Sequence, residues 1–261
     1  MKPNRLAALA LSALLLFGGS RDAEASDASL AAVAHEDRPA ADREQDVLRK
    51  PSALLDFAGV DRGMQVADLM AGSGWYAEIL SHLVGRGGRV YAQNNEVSHG
   101  RYGFRLGARV ERPIPLSWFL GPRLANVTLL ENELDTLEGL PSGSLDVVLL
   151  VNFYHDTYWM GVDRGAMLER ILSALTPGGV FVVVDHEAGE GRGASEAQRL
   201  HRVEAAQVRR EVTAAGFLPD GESDLLRNAD DAHQVNVFDE VVRGRTDRFV
   251  LRFTKPASRG S

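Results

Sequence analysis

The feature that most constrains the fold of this 261-residue chain is a glycine turn between a short apolar strand and a helix. Residues 65–70 predict the strand, and residues 76–84 place their apolar side chains on one helical face. Asp68 lies near the end of the strand, and Gly72 and Gly74 belong to the turn. Glycine lets the backbone turn sharply and approach a ligand closely, so this unit is typical of nucleoside-binding sites. Any tight strand-to-helix turn also needs glycine, which leaves a purely structural role open.

Apolar strands and helical patterns alternate along the rest of the chain. Strands are predicted at residues 65–70, 89–93, 127–130, 146–152, 180–185 and 247–253. Helices are predicted at residues 41–59, with a break near Pro51, and at 76–84, 165–175 and 195–215. Residues 97–123 contain several prolines and are predicted to form an irregular insertion over the sheet edge. The alternation predicts βαβ units, and hence a doubly wound, mostly parallel sheet in one α/β domain.

The N-terminus has the pattern of an export signal. Lys2 and Arg5 precede an uninterrupted run of apolar and small residues, 6–19, and Ala23 and Ala25 suit a signal peptidase. The run is short for a membrane span, which needs about 20 residues, and an uncleaved anchor is the alternative. We expect a periplasmic or secreted protein without stable membrane insertion after cleavage. The predicted division is a signal peptide, a flexible lead-in and one folded domain, at residues 1–25, 26–41 and 42–256.

Charge and composition narrow the possible partners. The formal net charge is -7, whereas non-specific binding of nucleic acid needs a dense positive surface. The chain has no cysteine, which excludes disulfides, thiolate metal sites and a cysteine nucleophile. We therefore expect a small-molecule substrate and no nucleic-acid partner.

The turn resembles the first motif of class I S-adenosylmethionine-dependent methyltransferases, in which an acidic residue precedes three alternating glycines. Asp68 matches the acidic position, and Gly72 and Gly74 match the last two glycines. Met70 stands where the first glycine is usual. Asn94 ends the predicted second strand, where the family has an acidic residue that binds the ribose hydroxyls. An asparagine there would still hydrogen-bond a diol, without a charge.

Other segments resemble the same family in order. Residues 131–134 resemble the loop after the third strand, which gives Glu133 the contact with the adenine amino group. Residues 140–148 resemble the approach to the fourth strand, and residues 177–179 resemble the turn into the fifth. The resemblance implies a seven-stranded Rossmann-like fold and S-adenosyl-L-methionine as the cofactor. The cofactor site that it implies consists of Asp68, Gly72, Ser73, Gly74, Asn94, Glu133, Leu134 and Asn152.

A narrower resemblance relates nearly the whole chain after the signal to a family of predicted exported bacterial methyltransferases. The segments that carry it are 42–43, Asp46, 49–51, 154–156, 185–186, 201–202 and 246–253. The substrate of that family is not defined. This resemblance therefore implies methyl transfer without identifying the acceptor.

Polar side chains follow the predicted fourth and fifth strands. His155 and Asp156 follow the fourth, and Asp185 and His186 stand at the end of the fifth. Because doubly wound sheets bind ligands beyond the carboxyl ends of their strands, we expect His155 to be the general base, oriented by Asp156 or Asp185. Capping a helix or satisfying loop backbone is the structural alternative. Histidines and carboxylates would also suit a metal, but no tight ligand spacing lies within one helix, and no metal is predicted.

The leading hypothesis is an enzyme that methylates a small molecule. An exported binding module for S-adenosylmethionine or a nucleoside, without catalysis, is the alternative. Met70 and Asn94, which depart from the family motif, favour the binding module. Export favours it as well, since the cofactor is made in the cytoplasm. A nicotinamide dehydrogenase is disfavoured because no Tyr-x-x-x-Lys pair occurs. Arg43, Arg49 and Lys50 precede the first strand, where this fold commonly places a covering helix, and they would suit an anionic substrate.

Overall fold

The computed structural model of the protein describes residues 26–111 and 120–257, so the predicted signal peptide lies outside the described residues. Seven strands form one sheet: Gln65–Leu69 (β1), Arg89–Asn94 (β2), Val127–Glu131 (β3), Leu145–Val151 (β4), Leu175–His186 (β5), Leu218–Ser223 (β6) and Arg248–Thr254 (β7). Their order across the sheet is β3-β2-β1-β4-β5-β7-β6. Strands β1 to β5 pair in parallel, whereas β7 pairs antiparallel with both β5 and β6. The predicted doubly wound, mostly parallel sheet of seven strands in one domain is confirmed.

Helices cover both faces of this sheet. They are Asp27–Val33 (α1), Ala40–Arg43 (α2), Asp46–Arg49 (α3), Pro51–Ala58 (α4), Trp75–Val84 (α5), Glu96–Val110 (α6), Arg164–Ala174 (α7), Ala197–Leu200 (α8) and Ala205–Ala214 (α9), with a 3₁₀ turn at Tyr154–Tyr158. Successive residues of β4 point to opposite faces. Val147 and Leu149 pack in the core formed with α4 and α5, whereas Val148 and Leu150 pack in the core formed with α7 and α9. The solid apolar run of β4 is therefore buried on both faces.

Residues 97–110, part of the segment 97–123 that was predicted to be irregular, form most of helix α6, so the prediction was wrong there, and residues 112–119 lie outside the described residues. The side chain of Asn95 caps the helix by accepting a hydrogen bond from the Ser98 N–H at 2.9 Å. Leu106 and Val110, one turn apart, are buried in the core. Several glycines within the helix lower its intrinsic propensity, which is why the sequence pattern did not indicate it.

Residues 26–41, predicted to be a flexible lead-in, contain helix α1 packed on α4. Ser26 caps α1, and its hydroxyl donates to Asp56 at 2.7 Å. The hydroxyl of Ser29 donates to the same carboxylate at 2.8 Å, and Ala32 is buried in the core. The small and polar composition of the segment is therefore explained by close packing and capping rather than by flexibility.

Two further elements differ from the prediction. The helix expected over residues 195–215 is divided into α8 and α9, because His201 adopts a left-handed φ of 55° and Val203 pairs with Glu187. Strand β6 was not predicted because its residues are mostly exposed and include proline and glycine. Within the two described ranges, no helix is long and apolar enough to cross a membrane.

Candidate functional site

The carboxyl ends of β1, β4 and β5 meet at one edge of the sheet, beside the beginning of the antiparallel β7. Strands β1 and β4 are neighbours although β2 and β3 lie between them in sequence, so the strand order reverses here. Open α/β sheets bind ligands at such a point. Polar side chains at this edge or just beyond it belong to Asp68, Asn152, His155, Asp156, Asp185, His186 and Arg248. The structure thus brings the candidates predicted on different strands to the same edge.

The glycine turn after β1 adopts left-handed backbone, with φ of 58° at Gly72 and 81° at Gly74. A Cβ at Gly72 would meet open space, whereas one at Gly74 would lie 2.6 Å from the Leu106 side chain of α6. Met70 is also left-handed, with φ of 53°, a conformation that costs a non-glycine residue about 1–2 kcal/mol. The turn therefore keeps glycine-like backbone even where methionine replaces the usual glycine, and it leaves space beside Gly72.

Asn94, at the end of β2, holds this turn in place. Its Oδ1 accepts a hydrogen bond from the Gly72 N–H at 2.9 Å, and its Nδ2 donates to the Gly72 carbonyl at 2.9 Å. The neighbouring Gln93 accepts from the Met70 N–H at 3.1 Å. Asn94 and Gln93 are both fully buried. The turn therefore engages both polar groups of Asn94 once each, and one lone pair of Oδ1 and one N–H of Nδ2 remain for the ribose contact that the resemblance implies.

Helix α6 covers the turn from the other side. The Arg109 Nε donates to the Ser73 carbonyl at 2.8 Å, and the guanidinium pairs with Asp42 at 2.6 Å and with Glu78. Ser73 therefore has its carbonyl engaged by α6. Arg109 was not predicted because the glycines of α6 weaken the helical pattern of its sequence. The available signal for this helix was the apolar pair Leu106 and Val110, one turn apart.

Two buried oxygens at this edge lack a hydrogen-bond partner among the described residues: Asp68 Oδ2, in β1, and Asn152 Oδ1, directly after β4. Burial raises the pKa of Asp68 to about 7, against the smaller opposing effect of the Ala77 N–H. Asn152 adopts a left-handed φ of 55°, and its N–H donates to the Val184 carbonyl at 2.7 Å. Because buried polar atoms are nearly always hydrogen-bonded, each of these oxygens is a candidate contact for a bound group that carries N–H donors.

The loop after β3 reaches the same edge. The Asn132 N–H donates to the Asn94 carbonyl at 3.2 Å. Glu133 is exposed and accepts from the Glu96 N–H, at the beginning of α6, at 3.3 Å. Leu134 is fully buried in the core, so its side chain supports the loop and its backbone alone is left for a ligand.

His155 lies between two carboxylates, and the structure brings it together with Asp185 and Asp156 as expected. Its Nδ1 is 2.7 Å from Asp185 Oδ1, and its backbone N–H donates to Asp185 Oδ2 at 2.7 Å. Its Nε2 is 3.1 Å from Asp156 Oδ1. Burial lowers the pKa of His155, but the two carboxylates outweigh burial and raise the pKa to about 10. A histidine that is protonated at neutral pH cannot accept a proton, so this environment does not support the predicted role of His155 as a general base.

His201 completes a compact group with His155 and Asp156. Its Nδ1 is 3.2 Å from His155 Nε2 and 3.0 Å from Asp156 Oδ1. The indole Nε1 of Trp159 donates to the same Asp156 oxygen at 3.0 Å. Two ring nitrogens and one carboxylate oxygen that converge in this way could hold a metal ion.

His186 occupies a different environment at the end of β5. Its Nδ1 is 2.7 Å from the Thr246 hydroxyl, and its Nε2 has no hydrogen-bond partner within residues 26–111 and 120–257. Burial lowers the pKa of His186 well below its ordinary value, and the positive charges of His155, Arg248 and Arg202 act in the same direction. The imidazole is therefore neutral at neutral pH, with one ring nitrogen unengaged.

The segment before β1 covers this edge. The guanidinium of Arg49 stacks over the Trp75 ring at 4.6 Å, and Arg248 donates to the Leu48 carbonyl at 2.6 Å. Arg248 is 6% exposed, yet its Nε has no partner among the described residues. Burial lowers the pKa of both guanidinium groups. Tyr76 is also buried, which raises its pKa to about 12 despite the nearby positive charges of Arg49 and Arg248.

A cavity of about 350 Å³ lies beside Arg248, between segment 47–50 and segment 225–248. The charged side chains that line it are Lys50, Arg227, Asp230, Asp231, Arg245 and Arg248. Arg227 pairs with acidic residues outside the cavity lining, and Asp231 pairs with the buried Arg202. Thr246, which binds His186, also lines the cavity. The wall of this cavity is therefore positively charged and extends to the residue that orients His186.

No protein-family model and no curated protein matches the chain. Solved structures do match it. An S-adenosylmethionine-dependent methyltransferase from Aquifex aeolicus is 19% identical with a TM-score of 0.52, and the match covers 81% of this chain and 98% of that one. The arsenic(III) S-adenosylmethionine methyltransferase from Chlamydomonas reinhardtii is 19% identical with a TM-score of 0.55, over 89% and 74% of the two chains.

Phosphoethanolamine N-methyltransferase 2 from Haemonchus contortus, solved in complex with S-adenosyl-L-methionine, is 16% identical with a TM-score of 0.53. That match covers 78% of this chain and 51% of the longer protein. At such identities the likeness establishes the fold. The chain therefore has the fold of class I S-adenosylmethionine-dependent methyltransferases.

Proposed function

We propose that this protein binds S-adenosylmethionine at the edge between β1 and β4 and transfers its methyl group to a small-molecule acceptor. The observation that carries the proposal concerns two buried oxygens where the strand order reverses, Asp68 Oδ2 and Asn152 Oδ1, neither of which has a hydrogen-bond partner among the described residues. The methionine part of the cofactor carries an ammonium group, whose N–H donors suit a buried acceptor of this kind. The neighbours in the same fold support the proposal at the level of the fold.

The glycine turn accommodates the same ligand. Gly72 leaves open space for close approach, and Asn94 and Gln93 keep the turn rigid through hydrogen bonds to its backbone. Glu133, on the loop tied to Asn94, is the residue that we assign to the adenine amino group. When bound, S-adenosylmethionine supplies an electrophilic methyl group, and the protein has to orient the acceptor and remove its proton.

His186 is the histidine at this edge that is neutral at neutral pH, and we assign it as the proton acceptor although burial and the neighbouring positive charges keep its pKa well below the ordinary value and make it a weak base. Its Nδ1 is held by the Thr246 hydroxyl, and when Nδ1 carries the ring proton, the lone pair of Nε2 is available. His155 instead has both ring nitrogens engaged, Nδ1 by Asp185 and Nε2 by Asp156. The catalytic role first assigned to His155 therefore passes to His186, and His155, Asp156 and Asp185 organise the edge around it.

The cavity beside Arg248 points to an anionic acceptor. Arg245 and the unpartnered Nε of Arg248 provide positive charge, and Lys50 donates to the Leu225 carbonyl at its rim. A carboxylate or phosphate on the acceptor would satisfy these donors. This assignment retains Lys50 and replaces Arg43 and Arg49 by Arg245, which precedes β7, and Arg248, the first residue of β7.

The test is transfer of isotope-labelled methyl from S-adenosylmethionine to a panel of small acids, each offered beside its uncharged amide. Methylation of acids in preference to their amides by the wild-type protein would support the proposal. Loss of turnover in His186→Gln, with cofactor affinity retained, would support the assigned proton acceptor. Preference for the amides would contradict an anionic acceptor.

A binding module without catalysis is the second candidate, and the environment of His155 favours it. The group that the sequence predicts as the base is charged, and both polar groups of the Asn94 side chain form hydrogen bonds with the turn. This candidate predicts that the protein binds the cofactor and its demethylated product equally well and methylates no acceptor of the panel.

We also propose that the protein is exported, on the strength of the N-terminal sequence pattern. A fusion of residues 1–28 to a reporter that is active only outside the cytoplasm tests this. Reporter activity and a mature protein that begins at Ser26 are expected. Full-length chain in the soluble cytoplasm would contradict export.

A further inference from the structure

Three potential metal ligands converge beyond the end of β4, outside the proposed cofactor contacts. The ligand atoms are His155 Nε2, Asp156 Oδ1 and His201 Nδ1. Their separations are 3.1 Å from His155 to Asp156, 3.2 Å from His155 to His201, and 3.0 Å from His201 to Asp156. The three atoms therefore form a nearly equilateral triangle.

The size of this triangle fits a first-row transition metal. Zinc–nitrogen and zinc–oxygen bonds are about 2.0–2.2 Å long. An ion at that distance from all three atoms would have ligand–metal–ligand angles of about 90–105°, close to those of tetrahedral or octahedral sites. The three separations between the ligand atoms therefore already match such a site.

The surroundings of His155 are those of a metal ligand. Asp185, which is fully buried, receives the Nδ1 proton at 2.7 Å and the backbone N–H of the same residue at 2.7 Å. This arrangement fixes the ring and leaves Nε2 directed at the triangle. A carboxylate that binds the second nitrogen in this way is the common support of a metal-bound histidine.

Hydrogen bonds alone account less well for the close approach of these three atoms. The nitrogens of His155, His201 and Trp159 all lie within 3.1 Å of the single oxygen Asp156 Oδ1. His155 Nε2 and His201 Nδ1 also lie 3.2 Å apart. Two N–H groups cannot face each other at this distance, so one of the two nitrogens must be unprotonated. A divalent ion replaces these protons, and its two positive charges balance the carboxylates of Asp156 and Asp185.

We propose that His155, Asp156 and His201 bind one divalent transition-metal ion, with Zn²⁺ as the probe, and that Asp185 orients His155 from behind. The site opens on one side, because the side chains of Asp156 and His201 are 17% and 21% exposed. That side holds the fourth ligand, a water molecule or an oxygen of an acceptor. The ligands come from a 3₁₀ turn and from the end of α8, 45 residues further on from Asp156, so no local spacing in the sequence reveals the site.

Calorimetric titration of untagged, metal-stripped protein with Zn²⁺ tests the site, without S-adenosylmethionine. We expect one ion per chain, and an affinity at least about 100-fold lower in His201→Ala. Asp185→Asn should lower the affinity by about 10- to 100-fold, as expected for a group that supports a ligand. His99→Ala is the matched control, because this exposed histidine also faces a carboxylate, Glu131, at 3.3 Å, and should leave binding unchanged.

Titration with Co²⁺, followed by visible absorption, gives a second readout. The wild-type protein should develop the bands of a nitrogen- and oxygen-ligated ion, and Asp156→Asn should weaken them while its circular dichroism remains native. Absence of binding in the wild-type protein would overturn the proposal, as would equal Zn²⁺ affinity in the wild type and His201→Ala. Either result leaves the proposed cofactor site untouched, because the cofactor is not used in these titrations.

Discussion

Asp68→Asn separates the charge of the buried carboxylate from its shape. In the folded protein, burial raises the pKa of Asp68 from 3.8 to about 7. Between about pH 4 and pH 7 the folded state therefore binds the Asp68 proton more tightly than the unfolded state, and the contribution of Asp68 to the free energy of unfolding falls as the pH rises. The difference in pKa corresponds to about 4 kcal/mol at neutral pH, as an upper value. Asparagine does not titrate, so in the variant the free energy of unfolding does not decrease through ionisation at position 68.

This pH dependence can be measured by urea unfolding, with tryptophan fluorescence as the signal. The free energy of unfolding of Asp68→Asn, minus that of the wild type, should rise by up to about 4 kcal/mol between about pH 4 and pH 7.5. Asp61→Asn, an exchange at an exposed position, is the control for nonspecific effects of charge removal. Parallel stability curves for Asp68→Asn and the wild type would refute the argument that Asp68 is a buried, uncompensated carboxyl group.

The same substitution should weaken binding of the cofactor. A hydrogen bond between an ammonium and a carboxylate contributes about 1.5–3 kcal/mol, which corresponds to a loss of about 10- to 150-fold in affinity. Asn at position 68 would then give a more stable protein that binds its ligand less well. An unchanged affinity in calorimetry would place the ammonium group elsewhere.

Three further predictions concern the rest of the site. His186→Gln should cut turnover by about 100-fold with cofactor affinity within about threefold, and an unchanged rate would reject it as proton acceptor. Arg245→Ala should raise KM for an anionic acceptor, whereas Arg243→Ala, exposed but outside the cavity lining, should not, and equal KM values would contradict the cavity assignment. Gly74→Ala should lower the free energy of unfolding by about 1–3 kcal/mol, because Gly74 has a left-handed φ of 81° and a Cβ there would meet Leu106, and the loss should be smaller when the change is made in a Leu106→Ala background.

The fold was largely predictable from the sequence, because its main strands are buried on both faces and therefore appear as continuous apolar runs. Strand β4, for example, consists of consecutive apolar residues that pack in two different cores, and the glycines after β1 mark the turn. Helix α6 was not readable, because its glycines weaken the helical pattern and its buried face consists of Leu106 and Val110 alone among the described residues. Helix α1 was not predicted because its small polar residues suggested a flexible segment, whereas Ser26 and Ser29 form hydrogen bonds with Asp56.

The sequence predicted which polar side chains lie at this edge of the sheet, but not the environment of each. The sequence placed His155, Asp156 and Asp185 near one edge, and the structure brings them within hydrogen-bond distance. It did not reveal that carboxylates on both sides would keep His155 protonated, because protonation depends on distances of a few ångströms between different strands. For the same reason, the approach of His201 and the use of Asn94 by the turn were not predictable from local spacing.

Calorimetry with S-adenosylhomocysteine tests the central claim, that the ligand binds against the turn after β1. Gly72→Val fills the open space beside the turn, and Gly143→Val is a matched control, because Gly143 has a similar φ of 62° and open space on a loop distant in sequence. We predict that the wild type and Gly143→Val bind the ligand and that Gly72→Val does not, while all three remain folded. Binding of equal affinity by Gly72→Val, or no binding by the wild type, would contradict the account.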